Sequence, residues 1–405
     1  MNFFQNICNT LKFLFICLYA VFFYSCATTQ KNQDKIVFQP VQNPLSIQEN
    51  SSSTVELIFA GDIMAHTINY TAGKFHRIWQ DIKPILLKGD FVFANLEAPV
   101  NDKMPWNTFP QFNMHSDYVE AAIDAGVNVF SLANNHTNDG YLEGIEATKQ
   151  YFSKKTNVWA CGLKNKADGS ISFQLLEKNG WKILFVAITE ILNRPDYASR
   201  IDYYPPQKRE ELFAQLKSLT EKIEHDVFVL SIHTNEEEYK TAVTKDHRIF
   251  FAQLAKECGA DIIWANHPHC MKEFEFIQYE KGDDKKQAFV MYGNGNTVSG
   301  QRSSPSLKKQ PTSRDLTGDG LLISITMEKS YSGKNGNNLN KKITFKKVEP
   351  LFITSYIEPT GQITIKLADD DFIHSLERSG LYLWADYIKS RKKLFEDLKG
   401  ISKWQ

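Results

Sequence analysis

The sequence has no excess of either charge, since 47 lysines and arginines are balanced by 47 aspartates and glutamates in 405 residues. A chain without a net charge has no general attraction for nucleic acid or for an anionic surface. We therefore expect no nucleic-acid partner. An acidic substrate would have to be held locally, for example by metal ions.

Two kinds of sequence motif are also missing. The six cysteines form no CxxC pair, which argues against a zinc ribbon and against a thioredoxin-type site. The glycines of "YGNGNTVSG" (292–300) have neither GxGxxG nor P-loop spacing, so they predict no nucleotide-binding loop. We interpret this segment as a tight turn beside a site, where Asn294 or Asn296 touches substrate. A turn without that contact is the alternative.

The apolar run near the N-terminus is short. It covers residues 13–24, and about 12 residues are too few to cross a ~30 Å bilayer core as a helix, which needs ~20. The run has the length of a signal-peptide core, and Ser25-Cys26 after it resembles the end of a bacterial lipoprotein signal. We predict acylation of Cys26 and anchoring of the exported protein to the membrane of the bacterial cell envelope. A plain signal or a short anchor with an incidental cysteine is the alternative.

The chain divides into four predicted segments. Residues 1–26 are the lipoprotein signal peptide, and residues 27–54, rich in Gln, Asn and Ser, are a flexible tether. Residues 55–301 form the main domain. Residues 302–405 add a β-strand extension and C-terminal helices, whose helical spacing of apolar residues predicts packing onto that domain.

Short apolar runs alternate with helical stretches from residue 55 onward. The runs are "VELIFAG", "DFVFAN", "VNVFSLA", "WKILFVAIT", "DVFVLSIH" and "ADIIWA". This alternation predicts an α/β fold of βαβ units with a mostly parallel sheet covered on both faces. After residue 285 the runs are joined by turns, which indicates an antiparallel extension, and we interpret residues 300–318 as an exposed loop.

Polar side chains follow five of these apolar runs. Ligands of open α/β sheets bind at the carboxyl ends of the strands, and we expect these side chains to meet at one edge of one sheet. Asn and Asp are also ordinary turn formers, so each residue alone has a structural alternative. The residues are Asp62, Asn95 with Glu97, Asn134-Asn135-His136, His233, and His267 with His269.

This set of side chains suits metal ions. Histidine, amide and carboxylate ligands without thiolates are typical of Mn²⁺, Zn²⁺ or Fe sites. Two ions ~3.5–4 Å apart would clamp an in-line displacement at phosphorus and supply a hydroxide nucleophile. His136 and Asp139, three residues apart, could form a proton donor and the carboxylate that orients it.

The order of the motifs "GDIM", "NLE", "NNH", "EEY", "NHPH" and "GN" resembles the CapA family of poly-γ-glutamate capsule synthesis proteins. That family belongs to the calcineurin-like metallophosphoesterase superfamily, and the resemblance spans about residues 55–301. It implies a metallophosphoesterase-like sandwich of two mixed β-sheets flanked by helices. It also implies divalent metal ions, two in number, and the capsule-synthesis machinery as a partner.

The resemblance implies roles for individual residues. Asn135 would be a metal ligand, His136 the proton donor with Asp139, and Asn95 would contact substrate. The ligands of one metal would be Asp62, His66 and His269, those of the other His233 and His267, with Glu97 between the ions.

Several motifs depart from the superfamily pattern, and they leave two classes of function open. His66 follows Asp62 four residues on instead of two, Glu97 stands where a bridging Asp is usual, and "HTNEEEY" has lost a Trp and a Gly. One class is a metal-dependent hydrolase or transferase acting on a phosphoester or an acidic polymer. The other is a non-catalytic accessory or tethering protein that keeps the fold.

Replacing Cys26 tests the anchor. The wild type should partition into the detergent phase, and Cys26→Ser should be released or stall as a precursor, because several acyl chains hold a protein on a membrane whereas one binds only marginally. Detergent partitioning and signal processing are the measurements. Normal processing with unchanged partitioning of the Cys26→Ser protein would disprove the lipid anchor.

Overall fold

The computed structural model describes residues 52–165, 169–282, 284–332 and 340–402. The predicted signal peptide, Cys26 and nearly all of the predicted tether lie outside these ranges. The anchor and the segment boundaries therefore stay predictions. Within the described ranges, no helix has both the length and the apolar character needed to span a membrane.

The strands and helices follow the predicted alternation. In chain order the strands are β1 (Ser52–Ile63), β2 (Phe91–Leu96), β3 (Val129–Ser131), β4 (Trp159–Cys161), β5 (Gln174–Lys178), β6 (Trp181–Thr189), β7 (Val227–His233), β8 (Ile262–Asn266), β9 (Phe274–Lys281), β10 (Asp284–Met291), β11 (Asn296–Val298), β12 (Asp319–Ser332), β13 (Asn340–Ile357) and β14 (Ile363–Leu367). The α-helices are α1 (Thr67–Tyr70), α2 (Phe75–Trp79), α3 (Lys83–Leu86), α4 (Ser116–Ala125), α5 (Tyr141–Ser153), α6 (Arg209–Lys222), α7 (Lys245–Cys258), α8 (Asp370–Arg378) and α9 (Tyr382–Ile401).

These strands form two mixed sheets. The first has the order β14-β13-β12-β1-β2-β3-β4, with β11 also paired to β1, and the second has the order β5-β6-β7-β8-β10-β9. Strands β1 to β4 are parallel, whereas β12 pairs antiparallel with β1. The predicted sandwich of two mixed sheets flanked by helices is confirmed. The expectation that all five polar strand ends belong to one sheet is wrong, because β1, β2 and β3 lie in the first sheet and β7 and β8 in the second.

Alternate side chains of the central strands enter two different cores. In β2, Phe93 packs between the sheets, while Val92 packs on the outer face of the first sheet against helices. Phe59 stacks on Phe93 with ring centres 4.6 Å apart, and Trp264 lies 5.9 Å from Phe59. Because both faces of this central strand are buried, its sequence is apolar from Phe91 to Ala94.

Hydrogen bonds between the sheets align their carboxyl edges. Trp264 of β8 donates its indole N–H to the carbonyl of Ala60 in β1 over 2.9 Å. Ser231 of β7 donates to the Ser131 hydroxyl of β3 over 3.0 Å. Each of these contacts lies within a few residues of a polar strand end, so the strand ends of both sheets face the same space.

The C-terminal helices pack on the sandwich and pin a segment that the sequence predicts as an exposed loop. Arg302 is buried and donates from Nη1 to Asp319 Oδ1 over 2.8 Å, and Arg391 of α9 donates from Nε to Asp319 Oδ2 over 2.5 Å. Asp315 is buried as well. The exposed-loop interpretation of residues 300–318 is therefore wrong at these positions, because an ion pair compensates for the buried charge of Arg302 and hydrogen bonds for that of Asp315.

A second buried network holds the loop after β7. The side chain of His247 on α7 places Nε2 2.6 Å from Glu190 Oε2 and Nδ1 3.3 Å from Glu236 Oε1. Lys272 also pairs with Glu236, and Arg209 donates to Glu190 over 2.8 Å. Burial alone would lower the pKa of His247, but the hydrogen bonds with the two glutamates raise it to about 9.

This network predicts a pH-dependent stability. The folded-state pKa of His247, about 9, lies above its usual 6.5, so the stabilisation is full below pH 6.5 and disappears as the pH rises through 9. Such a shift corresponds to about 3 kcal/mol. In urea denaturation at pH 6.5 and 9.5, the wild type should lose about this much unfolding free energy, and His247→Gln should not. His374→Gln, which removes an exposed histidine, serves as the control and should keep the wild-type pH dependence. Equal pH dependence in wild type and His247→Gln would show that His247 is neutral in the fold.

Candidate metal centre

The end of β1, the residue after β2 and the loop after β8 supply one group of candidate ligands. Asp62, Glu97 and His269 are buried, and their ligand atoms lie within 4.8 Å of one another. His269 places Nδ1 3.1 Å from Asp62 Oδ2 and Nε2 3.6 Å from Glu97 Oε1. Asn95 lies between the two carboxylates, since its amide nitrogen donates to Asp62 over 2.8 Å and to Glu97 over 3.2 Å.

A second group shares Glu97 with the first. Glu97, His233 and His267 also place ligand atoms within 4.8 Å of one another. His233 Nε2 lies 3.7 Å from Glu97 Oε1, and the rings of His233 and His267 are 4.9 Å apart. Glu97 therefore belongs to both groups, and the assignment of these residues to two metal ions stays a prediction.

The donor atoms fit divalent metal ions. Glu97 Oε1 and His267 Nδ1 are buried and have no hydrogen-bond partner among the described residues. Buried polar atoms normally have partners, so such atoms need an explanation, for which an ion is one candidate. Burial, and then the charge of Asp62, raise the pKa of Glu97 well above its usual value. A bound cation would reverse that effect.

The imidazoles of His233 and His267 are held in the neutral form that binds metals. Burial, followed by the charge of His269, lowers the pKa of His267 to about 3. Burial and the neighbouring His267 likewise lower the pKa of His233 well below its usual value. Neutral imidazole nitrogens are common metal ligands because a lone pair is available.

The last histidine pair lies on a strained turn. His267 has φ 104° and His269 has φ 54°, a left-handed region that residues with a Cβ rarely adopt. Strain of this kind persists only where the surrounding structure holds it, and it is concentrated at functional sites. Here it turns both rings toward Glu97.

His136 and Asp139 form the predicted pair. His136 Nδ1 lies 2.6 Å from Asp139 Oδ2, and the same carboxylate oxygen accepts the backbone N–H of Phe112 over 2.7 Å. Both side chains are buried. With Nδ1 bound to the carboxylate, Nε2 is the nitrogen that would face a substrate, and the amide nitrogen of Asn193 lies 3.5 Å from it. The catalytic role of both residues stays a prediction.

The neighbouring Asn135 links this pair to the ligands. Asn135 Oδ1 lies 2.9 Å from His233 Nε2, and its amide nitrogen donates to Asn193 Oδ1 over 3.3 Å. Asn193 also places its amide nitrogen 3.3 Å from His136 Nδ1. Asn135 therefore lies beside the second ligand group, and its role as a ligand stays a prediction.

Three other predicted site residues contact the protein itself. His66 Nδ1 accepts the backbone N–H of Gly300 over 3.1 Å, and His66 belongs to none of the candidate ligand groups found among the described residues. Asn294 donates to the carbonyl of Phe59 over 3.1 Å. Asn296 Oδ1 lies 3.1 Å from His269 Nδ1, where it orients that ring. The ligand role of His66 and the substrate contacts of the two asparagines stay predictions.

The structure adds residues that the sequence analysis does not select. Glu238 forms a third candidate ligand group with His267 and His269. It lies in "HTNEEEY", where the altered spacing obscured which glutamate matters. Asn193 carries no recognisable signal, because its contacts join loops 58 residues apart in the chain.

The sequence matches the model of a protein family over residues 56–301, and the family is described as bacterial capsule synthesis protein PGA_cap. The capsule biosynthesis protein CapA of Bacillus anthracis is 25% identical over 270 residues, which cover 63% of this chain and 62% of that protein. The PGA biosynthesis protein CapA of Bacillus subtilis (strain 168) is 24% identical over 237 residues, which cover 56% of this chain and 61% of that protein. The chain thus matches less than two thirds of the length of each relative.

Among solved structures, a hypothetical protein from Thermus thermophilus aligns with a TM-score of 0.39 at 16% identity. That alignment covers 72% of this chain and 100% of the other. The family match covers more than half of the chain, and it includes every candidate metal ligand described above. The protein therefore belongs to the family of bacterial capsule synthesis proteins, PGA_cap.

Proposed function

We propose that this protein is a metal-dependent hydrolase of the cell envelope that acts in the synthesis or export of an acidic surface polymer of the poly-γ-glutamate type. The observation that carries the proposal is the convergence of two ligand groups on one orphaned oxygen, Glu97 Oε1. The polymer is inferred from family membership and from the names of the two CapA relatives.

One set of side chains would bind metal, and another would transfer a proton. Glu97, His233, His267, His269 and Asp62 would hold two divalent ions of Mn, Zn or Fe. Such ions supply a Lewis acid and an activated water near neutral pH.

His136 would donate a proton from Nε2 to the leaving oxygen while Asp139 holds Nδ1. The backbone N–H of Phe112 holds the Asp139 carboxylate in place. The carboxylate therefore orients the His136 ring without any movement of the ring. For a phosphoester the P–O bond would break and the leaving oxygen would take this proton. For an amide of the polymer the C–N bond would break and the leaving nitrogen would take it.

The second candidate is a non-catalytic accessory protein that tethers or guides the polymer. It is favoured by Asn95, whose amide nitrogen donates to both Asp62 and Glu97 at the centre of the site. An amide there carries no charge, so the site holds ions with one carboxylate fewer than a site with aspartate at this position. A lipid anchor at Cys26 belongs to both candidates and places the protein at the envelope membrane.

Two histidine variants separate the candidates. His267→Ala should lose metal and activity together, because it removes a ligand atom. His136→Ala should keep its metal and lose about 10²–10⁴-fold in rate, the usual effect of removing a general acid. Metal content and turnover of a phosphodiester and of a glutamate polymer are the measurements.

His76→Ala is the matched control, since His76 is an exposed histidine whose nearest ionic partner is Asp124. It should match the wild type in metal and rate. If metal-loaded wild type turns over neither substrate, or if His136→Ala is as fast as wild type, the hydrolase proposal fails and the accessory function replaces it.

A further inference from the structure

An arginine from the C-terminal part of the chain lies beside the metal centre. Arg314 is exposed, its guanidinium lies 5.1 Å from the ring centre of Tyr239, and Nη1 donates to the Tyr239 hydroxyl over 3.3 Å. The Tyr239 ring lies 6.4 Å from the ring of His269. Glu238, the preceding residue, belongs to a ligand group with His267 and His269. One aromatic ring thus separates Arg314 from candidate metal ligands.

Arg314 differs from Arg194 in its ionic contacts. Arg194 places Nε 3.3 Å from the carboxylate of Asp196. Arg314, by contrast, forms no ion pair with any carboxylate of the described residues, and the Tyr239 hydroxyl accepts one of its five N–H groups. The remaining donors are available to a ligand from solution.

The backbone that carries Arg314 is fixed by its neighbour. Asp315 accepts the N–H of Thr312 over 2.7 Å, the N–H of Ser306 over 2.9 Å and the hydroxyl of Tyr387 over 2.7 Å. Tyr387 lies on α9, which is anchored to β12 through Arg391 and Asp319. The 3₁₀ turn Ser313–Gly318 is therefore held before any ligand arrives, which reduces the ordering cost of binding.

We propose that Arg314 is a substrate-binding residue of the metal centre, which holds an anionic group of the substrate, a carboxylate or a phosphate, beside the metal ligands. The proposal rests on the proposed function, because it takes the metal centre as the place where substrate reacts. The planar guanidinium matches both anions with paired hydrogen bonds. The Tyr239 ring packs against one face of the guanidinium, so the N–H groups at the edge of the guanidinium remain for the ligand.

The position of Arg314 also answers a question raised by the composition. A chain with 47 positive and 47 negative residues attracts no anion as a whole. An unpaired arginine beside a metal site provides that attraction locally. The candidate metal ligands lie inside residues 56–301 and would serve the reaction, and this residue outside the matched range would select the substrate.

The test compares Arg314→Gln and Arg314→Lys with Lys309→Gln. Lys309 is exposed in the same segment, so the control removes the same charge without touching Tyr239. Purified full-length proteins, loaded with Mn²⁺, are titrated calorimetrically with inorganic phosphate and separately with glutarate. Arg314→Gln should raise the dissociation constant about ten- to a hundredfold, the usual effect of losing a hydrogen bond to a charged group. Arg314→Lys should retain part of the affinity, and Lys309→Gln all of it.

The two probes identify the anion. A loss for phosphate alone assigns a phosphate group, a loss for glutarate alone assigns a carboxylate, and a loss for both supports a site for either. Equal affinity of wild type and Arg314→Gln for both probes, or a wild type that binds neither, overturns the role of Arg314. Metal content is measured on the same samples, so a wild type that holds no metal counts against the proposed function and not against the anion comparison.

Discussion

A buried carboxylate oxygen that accepts no hydrogen bond from the described residues is the constraint on which this site depends. Glu97 Oε1 lies 3.6 Å from one imidazole nitrogen and 3.7 Å from another, beyond hydrogen-bond range of both. Burying a polar group without a partner is costly, so the surrounding structure must hold it in place. A position at similar distances from nitrogen atoms of two separate elements, β7 and the loop after β8, suits a shared cation better than it suits a proton.

That arrangement needs two sheets and a rigid set of loops. Glu97 comes from the first sheet and His233 from the second, and the sheets are held together by the Phe59–Phe93–Trp264 cluster and by a hydrogen bond from Trp264 to Ala60. The buried network around His247 holds the loop after β7 in position. Because each ligand belongs to a different element, small shifts in packing would change the distances between them.

Much of the fold follows from local pattern. Apolar runs of strand length, the glycine that closes α4 at Gly126 with φ 119°, and the break before Pro84 are all readable in the sequence. The apolar runs alone do not predict the division into two sheets. Val92 and Phe93 are both apolar, and an apolar residue can be covered by a helix or by a second sheet. The family resemblance supplied that part of the prediction.

The same limit applies to the site. Residues at the ends of strands, such as Asp62 and His233, could be selected because ligands bind at the carboxyl ends of strands in parallel sheets. Asn193 and Arg314 lie on loops, and their partners are 58 and 75 residues away in the chain. Contacts between residues so far apart in the chain produce no periodic pattern in the sequence. The sequence also fails to predict the buried ion pair of Arg302 with Asp319, because charged residues in a polar segment are expected to be solvent-exposed.

Candidate ligands from both sheets also make the sandwich and its ions thermodynamically interdependent. An ion held by Glu97 of one sheet and His233 of the other would act as a cross-link between two layers that otherwise meet through apolar side chains and a few hydrogen bonds. Any species that binds only the folded state stabilises it in proportion to the logarithm of its free concentration. The stability of this fold would then depend on the concentration of divalent ions around the protein. A lack of metal would destabilise the fold as well as remove its chemistry.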